Sequence, residues 1–343
     1  MTAANKMAAP PKLWGWQTFA SIGITLAILI LLATKMDQRQ VWIEVRKCNL
    51  LLVIIAALAH YATYPVRGMR WRCGLQHLSL TCGRRHLGLL VFFYNAVDNV
   101  VPAKLGDVYG AHLVRINCGV SRSAALGSLA LLRMVDVWVV LFLALAGVWG
   151  IFGQNFPKEV VWVLGGGSLL AFGASSVLIG FALLKRAVPT WLPETVQRMV
   201  RDFQGSMWPA AGQWPPILFY TGLIWVLETL WIYLLLLSFG IEPELAEILF
   251  VTMVPLLASA VPITPSGAGL VEITLFSCLR GVGIAAPLAA SVTVVNRLFD
   301  YWLHLLLGAL TWLLRRRIGL RSYREAASQA TVPREDASAD KVS

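Results

Sequence analysis

The feature of this 343-residue chain that most constrains its fold is a sparse pattern that occurs twice. Each copy has a Pro/Gly-rich break, then a long apolar segment in which one Arg and one Asp stand three positions apart. The first copy is residues 102–106 with Arg133 and Asp136, and the second is residues 265–269 with Arg297 and Asp300. Proline breaks a helix, and side chains three positions apart share one helix face. This pattern is typical of a duplicated membrane transporter.

Composition places the chain among membrane proteins. Apolar residues make up 57% of it, charged residues only 14%, and the mean hydropathy is +0.68. A single water-soluble core cannot bury that much apolar surface. The net charge of +11 comes from Lys and Arg in short loops between apolar runs, which favours a topology signal over nucleic-acid binding.

The cysteines point to packing rather than to a disulfide framework. There are five, an odd number, and none forms a C-x-x-C motif, which also argues against a zinc site. We therefore expect packing roles for Cys48, Cys73, Cys82, Cys118 and Cys278.

Apolar runs of spanning length predict an all-α polytopic membrane protein with about six full transmembrane helices. The runs are 13–34, 49–64, 124–152, 160–184, 214–239 and 284–314. Two further apolar stretches, 86–114 and 246–279, are interrupted near their middle by the Pro/Gly breaks. They predict two re-entrant or broken helical hairpins.

Charge distribution predicts the topology. Lys and Arg collect on one side if residues 1–12 are cytoplasmic, residues 13–321 form the membrane domain, and residues 322–343 form a disordered cytoplasmic tail. The two copies, about 49–152 and 214–314, then enter the membrane in opposite directions and are candidate inverted repeats. Hairpins that stop midway and hairpins that span fully fit the charge pattern equally well.

Ionisable residues in the apolar segments predict a polar, water-accessible interior. Each costs at least ~2.5 kcal/mol at the bilayer centre unless it is paired or hydrated. The predicted substrate-binding residues are Asn95, Asn99, Lys104, Asp107, Arg133, Asp136, Glu272, Arg297 and Asp300. The predicted half-helix breaks are Pro102, Gly106, Pro265, Gly267 and Gly269. They would point helix N-termini, which carry partial positive charge, at an anionic group.

Simpler structural roles remain open for several of these residues. The Arg–Asp pairs could lock helices together, Lys104 and Asp107 could form an interfacial turn with a snorkelling lysine, and Glu228 could make a helix-packing hydrogen bond. Arg67, Arg70 and Arg72 form a basic cluster that serves as a positive-inside signal, as a collector of anionic headgroups, or as both. The histidines lack ligand spacing, so we expect no metal and no cofactor.

Residues 15–315 resemble a known family, the membrane (flippase) region of lysylphosphatidylglycerol synthases of the multiple peptide resistance factor type and their stand-alone relatives. The segments that carry the resemblance are residues 70–72, 92–95, 102–107, 133–136, 265–272 and 297–302. The family usually has Arg where this chain has Lys104 or Gly110, Glu at Asp107, and a small hydroxyl residue at Asp300. The resemblance implies the flipping half of that family's activity without the synthetic half.

The resulting expectation is a flippase that moves a phospholipid or polyprenyl-linked lipid across a bacterial inner membrane, with both termini in the cytoplasm. Its partners would be lipids with anionic or phosphate-containing headgroups. No Walker A motif occurs, so transport would be downhill or ion-coupled, and Glu272 is a candidate proton carrier. Two alternatives remain: a membrane-embedded lipid phosphotransferase or glycosyltransferase, and a noncatalytic partner of a lipid-modifying enzyme.

Overall fold

The computed structural model of the chain describes Gly23 and residues 38–76, 78–101, 105–183, 191–209, 211–259 and 269–321. These residues form α-helices, with no β-strand in the described ranges. The predicted span 13–34, the tail 322–343 and the predicted site residues Pro102, Lys104, Pro265 and Gly267 lie outside them.

The helices follow one another with short connections. In chain order they are α1 (Gln38–Lys47), α2 (Leu50–Gly74), α3 (Arg84–Asp98), α4 (Leu105–Cys118), α5 (Arg122–Phe152), α6 (Lys158–Leu183), α7 (Glu194–Met207), α8 (Trp214–Ser238), α9 (Leu245–Ser259), α10 (Leu270–Gly281), α11 (Ala286–Arg297) and α12 (His304–Leu313). A π-helical segment, Leu298–Leu303, joins α11 to α12.

Four helices in the described part of the chain, α2, α5, α6 and α8, are long and apolar enough to cross a membrane. Three of them match the predicted runs within a few residues. Helix α2 continues to Gly74, well beyond the predicted end at residue 64, and carries Arg67, Arg70 and Arg72 in its added turns. Hydropathy missed this extension because the arginines find partners inside the protein.

The predicted run 284–314 is helical throughout but not uniformly α-helical. The π-helical segment follows directly after Arg297 and contains Asp300. A π-helical insertion rotates the residues that follow it around the helix axis, and such insertions are frequent at functional sites.

The two interrupted stretches each form a pair of short helices in mutual contact, α3 with α4 and α9 with α10. These helices have 12 to 15 residues. At 1.5 Å per residue each is roughly 18–23 Å long, shorter than the ~30 Å hydrocarbon core of a bilayer. Residues 102–104 and 260–268, which connect the members of each pair, lie outside the described ranges.

The two halves of the chain repeat the same order of packing. In the first half α2 contacts α3, α3 contacts α4, and α4 contacts α5; in the second half α8, α9, α10 and α11 make the corresponding contacts. Helices α2 and α8 pack against each other. In addition, α5 of the first half contacts α9 of the second, and α12 of the second half contacts α3 of the first. This recurrence fits a duplication, and the inverted orientation stays a prediction.

One expectation about the cysteines is wrong. Cys82, ahead of α3, is disulfide-bonded to Cys118 at the end of α4, and the two are 36 residues apart in sequence. An odd number of cysteines argues against a full framework but does not exclude one local pair. Cys48, Cys73 and Cys278 are free, as expected.

Candidate functional site

A cavity of about 680 Å³ lies at the middle of the long helices. Its walls include Asp136 of α5 and Glu228 of α8, each near the centre of its helix, and Arg67, which is seven residues before the end of α2. One hydrophobic cluster includes residues from the first half of α2 and the second half of α5. A second cluster includes residues from the second half of α2 and the first half of α5. The cavity therefore occupies the polar layer between two apolar cores.

Four arginines at and around this cavity each hold a carboxylate from another helix. Arg70 makes a two-point contact with Asp136, with its closer atoms 2.5 Å apart, and Arg133 makes one with Asp107 at 2.8 Å. The other two pairs are Arg297 with Glu272 at 2.8 Å and Arg67 with Glu228 at 3.0 Å. Buried charges are tolerated when they are paired in this way.

These pairs correct the interpretation of the duplicated Arg–Asp spacing. Arg133 and Asp136 do not pair with each other, because Arg133 reaches Asp107 on α4 and Asp136 reaches Arg70 on α2. Arg297 lies 3.9 Å from Asp300 but only 2.8 Å from Glu272. Arg133, Asp136, Arg297 and Asp300 do all line the cavity. The spacing therefore predicted which helix faces carry the site, but not which residues pair with these side chains.

A second correspondence between the halves appears here. In each half, a carboxylate on the helix that follows the break pairs with the arginine of the next segment, Asp107 with Arg133 and Glu272 with Arg297. The two pairs differ in burial, since the side chain of Arg133 is 33% exposed and that of Arg297 only 2%. Arg133 is the more accessible of the two duplicated arginines.

The helix N-termini expected to receive an anionic group are engaged by carboxylates of this chain. Asp98 accepts a hydrogen bond from the backbone N–H of Gly106 at the start of α4, at 3.2 Å. Glu272 accepts one from the N–H of Gly269, which precedes α10, at 2.8 Å. Gly269 has a φ of 86°, a conformation that glycine adopts readily. Each described N-terminus thus has a carboxylate where an external anion was predicted.

The predicted basic cluster on α2 is not a single exposed surface. Arg70 is buried against Asp136 and also donates to the Thr221 hydroxyl at 3.1 Å. Arg67 lines the cavity, and Arg72 donates to the carbonyl of Cys82 at 2.8 Å. The three arginines therefore meet different partners instead of forming one exposed cluster, and the headgroup-collecting role stays a prediction.

Two histidines that sequence reasoning treated as structural lie at the centre of the polar wall. The Nδ1 atom of His60 is 3.2 Å from a Glu228 oxygen, and its Nε2 is 3.6 Å from an Asp300 oxygen. His304 contacts the Tyr64 hydroxyl at 2.9 Å and the Phe92 carbonyl at 3.1 Å. Helical spacing was the sequence signal that could have indicated their place in the site. His60, Tyr64 and Arg67 share one face of α2, and His304 lies one turn after Asp300.

The remaining predicted polar residues also reach the cavity. Asn95 and Asn99 line it, and the Asn95 side chain donates to the Val91 carbonyl of its own helix at 2.8 Å. Glu228 does more than the single packing hydrogen bond considered for it, since it binds both His60 and Arg67. No group of three or more His, Cys, Asp or Glu side chains suited to a metal ion occurs in the described ranges.

Another part of the cavity lining is apolar. Helix α6 contributes one face, spaced at four, seven and eight residues: Leu170, Ala174, Val177 and Leu178. Val137, Leu256 and Leu257 extend this surface. Val177, one of these lining residues, is 69% exposed, so this part of the cavity is open rather than sealed inside the protein.

Comparison with known proteins gives a family for this architecture. The family model described as "Lysylphosphatidylglycerol synthase TM region" matches residues 18–308. Among curated proteins, a UPF0104 membrane protein of Methanocaldococcus jannaschii is 26% identical over 64% of this chain and 94% of its own length. A UPF0104 membrane protein of Pyrococcus horikoshii is 22% identical over 87% of this chain and 96% of its own.

A further relative carries an enzyme name. Glycosyltransferase AglD of Haloferax volcanii is 26% identical over 80% of this chain, which spans 50% of that protein. These relatives are archaeal, so the comparisons support a multi-pass membrane protein without favouring the predicted bacterial host.

Proposed function

Because the chain belongs to the lysylphosphatidylglycerol synthase transmembrane-region family, we propose that it translocates a lipid whose headgroup contains phosphate or is linked to a polyprenyl chain. The observation that carries the proposal is a cavity at the middle of the long helices whose lining is partly charged and partly apolar. Its charged wall suits a headgroup, and its apolar α6 wall suits the attached hydrocarbon chain.

The position of the cavity suits the movement of a charged headgroup across the bilayer. A charged headgroup meets its highest free energy at the centre of the bilayer. Arg67, Asp136 and Glu228 offer it polar partners at about that depth. A lipid also needs its chain to remain in apolar surroundings while the headgroup crosses, and the apolar α6 residues of the lining provide a surface for that chain.

Arg133 is the proposed first contact for a phosphate. It is the most exposed of the four paired arginines, and its guanidinium has five N–H donors, of which Asp107 takes two. A phosphate can share the arginine with Asp107 or displace it. Since Asp107 competes for the same donors, the bound headgroup is also readily released, as transport requires.

The helix N-termini have a modified role in this proposal. Asp98 and Glu272 each already accept a hydrogen bond from one backbone N–H at the start of α4 and α10. An anionic headgroup would therefore bind arginine side chains first and would reach an N-terminus only by displacing a carboxylate. Inverted orientation of the two repeats would let the cavity open alternately to the two membrane faces.

The test is lipid movement by the purified protein in liposomes. Acyl-chain-labelled phosphatidylglycerol, phosphatidylethanolamine and polyprenyl phosphate are incorporated, and a membrane-impermeant reductant destroys the label in the outer leaflet. We expect the wild type to expose inner-leaflet label of at least one of these lipids. The double variant Arg133→Gln/Asp107→Asn removes both charges together and should slow movement at least about tenfold, equivalent to ~1.4 kcal/mol.

The matched control is Lys47→Gln/Glu44→Gln, which removes an ion pair of similar length, 2.9 Å, within one helix and outside the cavity lining. It should move lipid at the wild-type rate. Wild-type protein that moves none of the lipids, or a double variant as fast as the control, would refute the proposal.

A second candidate function follows from the relative named glycosyltransferase AglD. In that reading the chain holds a polyprenyl-linked sugar during its transfer instead of moving it. Incubation with labelled lipid separates the two, because translocation leaves the lipid chemically unchanged and transfer gives a new product.

A further inference from the structure

His60 lies between two carboxylates that come from different elements. Its Nδ1 faces Glu228 of α8 at 3.2 Å, and its Nε2 faces Asp300 of the π-helical segment at 3.6 Å. Nε2 also lies 3.5 Å from the Tyr64 hydroxyl oxygen. The histidine itself is 3% exposed.

This arrangement requires a proton beyond those of the neutral ring. A neutral imidazole has one N–H donor and one acceptor nitrogen, whereas ionised carboxylates only accept. A neutral His60 would therefore point a lone pair at Glu228 or at Asp300. The contacts are favourable when His60 carries protons on both nitrogens or when one carboxylate is protonated.

His304 provides an internal contrast. Its Nε2 faces the Phe92 carbonyl at 3.1 Å, which can only accept, so Nε2 carries the proton and Nδ1 accepts from the Tyr64 hydroxyl at 2.9 Å. The neutral form of His304 is thus satisfied. Since Tyr64 donates to His304, its oxygen faces His60 as an acceptor, which adds to the demand for a proton there.

The charges around His60 lead to the same conclusion. Arg67 on its own helix is paired with Glu228, and Arg297 of α11 is paired with Glu272. Asp300 lies 3.9 Å from Arg297, farther than either of those pairs, and its side chain is 39% exposed. These two arginines and three carboxylates carry a net charge of −1, which one proton neutralises.

The other groups around His60 are neutral. Tyr61 and Tyr64 come from its own helix, the Trp231 ring from α8 lies 5.7 Å away, and His304 from α12 is reached through Tyr64. Among the described residues, the exchangeable proton is therefore shared by His60, Glu228 and Asp300.

We propose that His60 and Asp300 bind one proton that couples lipid movement to the proton gradient. This inference rests on the proposed function and names its coupling ion. A proton enters from cavity water at the partly exposed Asp300, is shared with His60, and leaves to water when the cavity opens to the other side. No bond other than O–H or N–H changes.

The site also joins the two halves of the molecule. His60 belongs to α2 in the first half, whereas Glu228 and Asp300 belong to the second. Protonated His60 attracts both carboxylates, and its neutral form repels one of them. Gain and loss of the proton therefore strengthen and weaken the contacts of His60 with Glu228 and Asp300. These contacts must open if the two halves move against each other. Glu272, the carrier suggested by the sequence, is held by Arg297 and Gly269 instead.

The experiment measures the steady-state leaflet ratio of labelled lipid in proteoliposomes under an imposed pH gradient, with the membrane potential clamped. With one proton per lipid, a gradient of one pH unit should hold a leaflet ratio of about tenfold in the wild type. His60→Gln keeps a polar side chain but carries no extra proton, so the lipid that it moves, at whatever rate, should approach a leaflet ratio near one. His86→Gln, which changes a histidine outside the cavity lining, should keep the wild-type ratio.

The outcomes separate this inference from the proposed function. A wild-type protein that moves lipid but holds no gradient-dependent ratio overturns the proton coupling and leaves translocation standing. If no lipid moves at all, translocation fails, and the proton site is judged by ¹⁵N NMR of histidine side chains, with His60 assigned from the His60→Gln spectrum. We expect two protonated ring nitrogens near neutral pH. A neutral His60 ring together with an ionised Asp300 carboxylate, read from ¹³C NMR, from about pH 5 to 8 would overturn the site.

Discussion

At the residue scale, nearly all of the charged side chains at and around the cavity are paired. Arg70, Arg133, Arg297 and Arg67 each meet a carboxylate within 3.0 Å. Removal of one partner from a buried pair leaves the other charge without compensation, and that loss commonly exceeds what the pair contributes in total. The pairs therefore keep the polar layer in one arrangement, whatever passes through it.

The pair of Arg70 and Asp136 gives the sharpest stability prediction. Asp136→Asn leaves the buried Arg70 with a neutral partner and should lower the free energy of unfolding by about 3–5 kcal/mol, measured by denaturation in detergent micelles. Arg70→Met/Asp136→Leu, which removes both charges, should recover most of that loss. Glu44→Gln in the exposed pair should change the same quantity by less than about 1 kcal/mol. Equal effects of Asp136→Asn and Glu44→Gln would contradict this account of pairing.

The sequence was informative about which residues face the cavity and uninformative about their partners. The periodicity of Arg133 with Asp136 fixes a helix face. It cannot reveal that Arg133 meets Asp107 of α4, because that contact depends on how the helices pack. His60 was missed for a related reason: a lone histidine in an apolar run has no pattern until Glu228 and Asp300 are brought beside it.

At the element scale, close helix contacts depend on glycines at specific crossings. A Cβ at Gly147 of α5 would lie 2.6 Å from the backbone nitrogen of Phe250 on α9. Backbone cannot shift as a flexible side chain can. Gly165 of α6, by contrast, has nothing within 4 Å of its Cβ position.

Gly147→Ala should therefore separate α5 from α9 and destabilise the protein by about 1–3 kcal/mol, as overpacking does in other cores. Gly165→Ala adds a methyl group in open space and should be neutral or slightly stabilising, since alanine favours helix more than glycine. Thermal unfolding of both variants in the same detergent checks this. A Gly147→Ala protein as stable as Gly165→Ala would show that the two helices do not pack as closely as described.

The elements themselves were partly predictable. Continuous apolar length identified α5, α6 and α8, because a long span with few charges has few alternatives to a membrane helix. Hydropathy misplaced the end of α2, where paired arginines continue the helix, and it gave no sign of the π-helical segment at Leu298–Leu303. Backbone irregularities of this kind are set by packing and have no composition signature.

At the scale of the whole molecule, two similar halves enclose one cavity. Equivalent helix contacts recur in both halves, and α2 packs on α8 across their junction. Sparse Pro, Gly, Arg and Asp positions predicted this recurrence, since these residues break helices or must be paired in a membrane. A cavity lined by both charged and apolar residues could not be predicted in this way, because it arises only when helix packing brings the α6 face and the charged residues around one space.

The most direct test of this account asks whether a lipid occupies the cavity. A photoreactive benzoylphenylalanine is placed at Leu178, on the apolar cavity wall, or at the adjacent Ile179, which is 46% exposed outside the lining. Proteoliposomes containing a tagged form of the lipid that the protein moves are then illuminated. We predict crosslinking at Leu178 that unlabelled lipid competes away and that Arg133→Gln/Asp107→Asn weakens, with only uncompeted crosslinking at Ile179. Identical, uncompeted labelling at both positions would contradict the account, because it would mean that lipid only surrounds the protein.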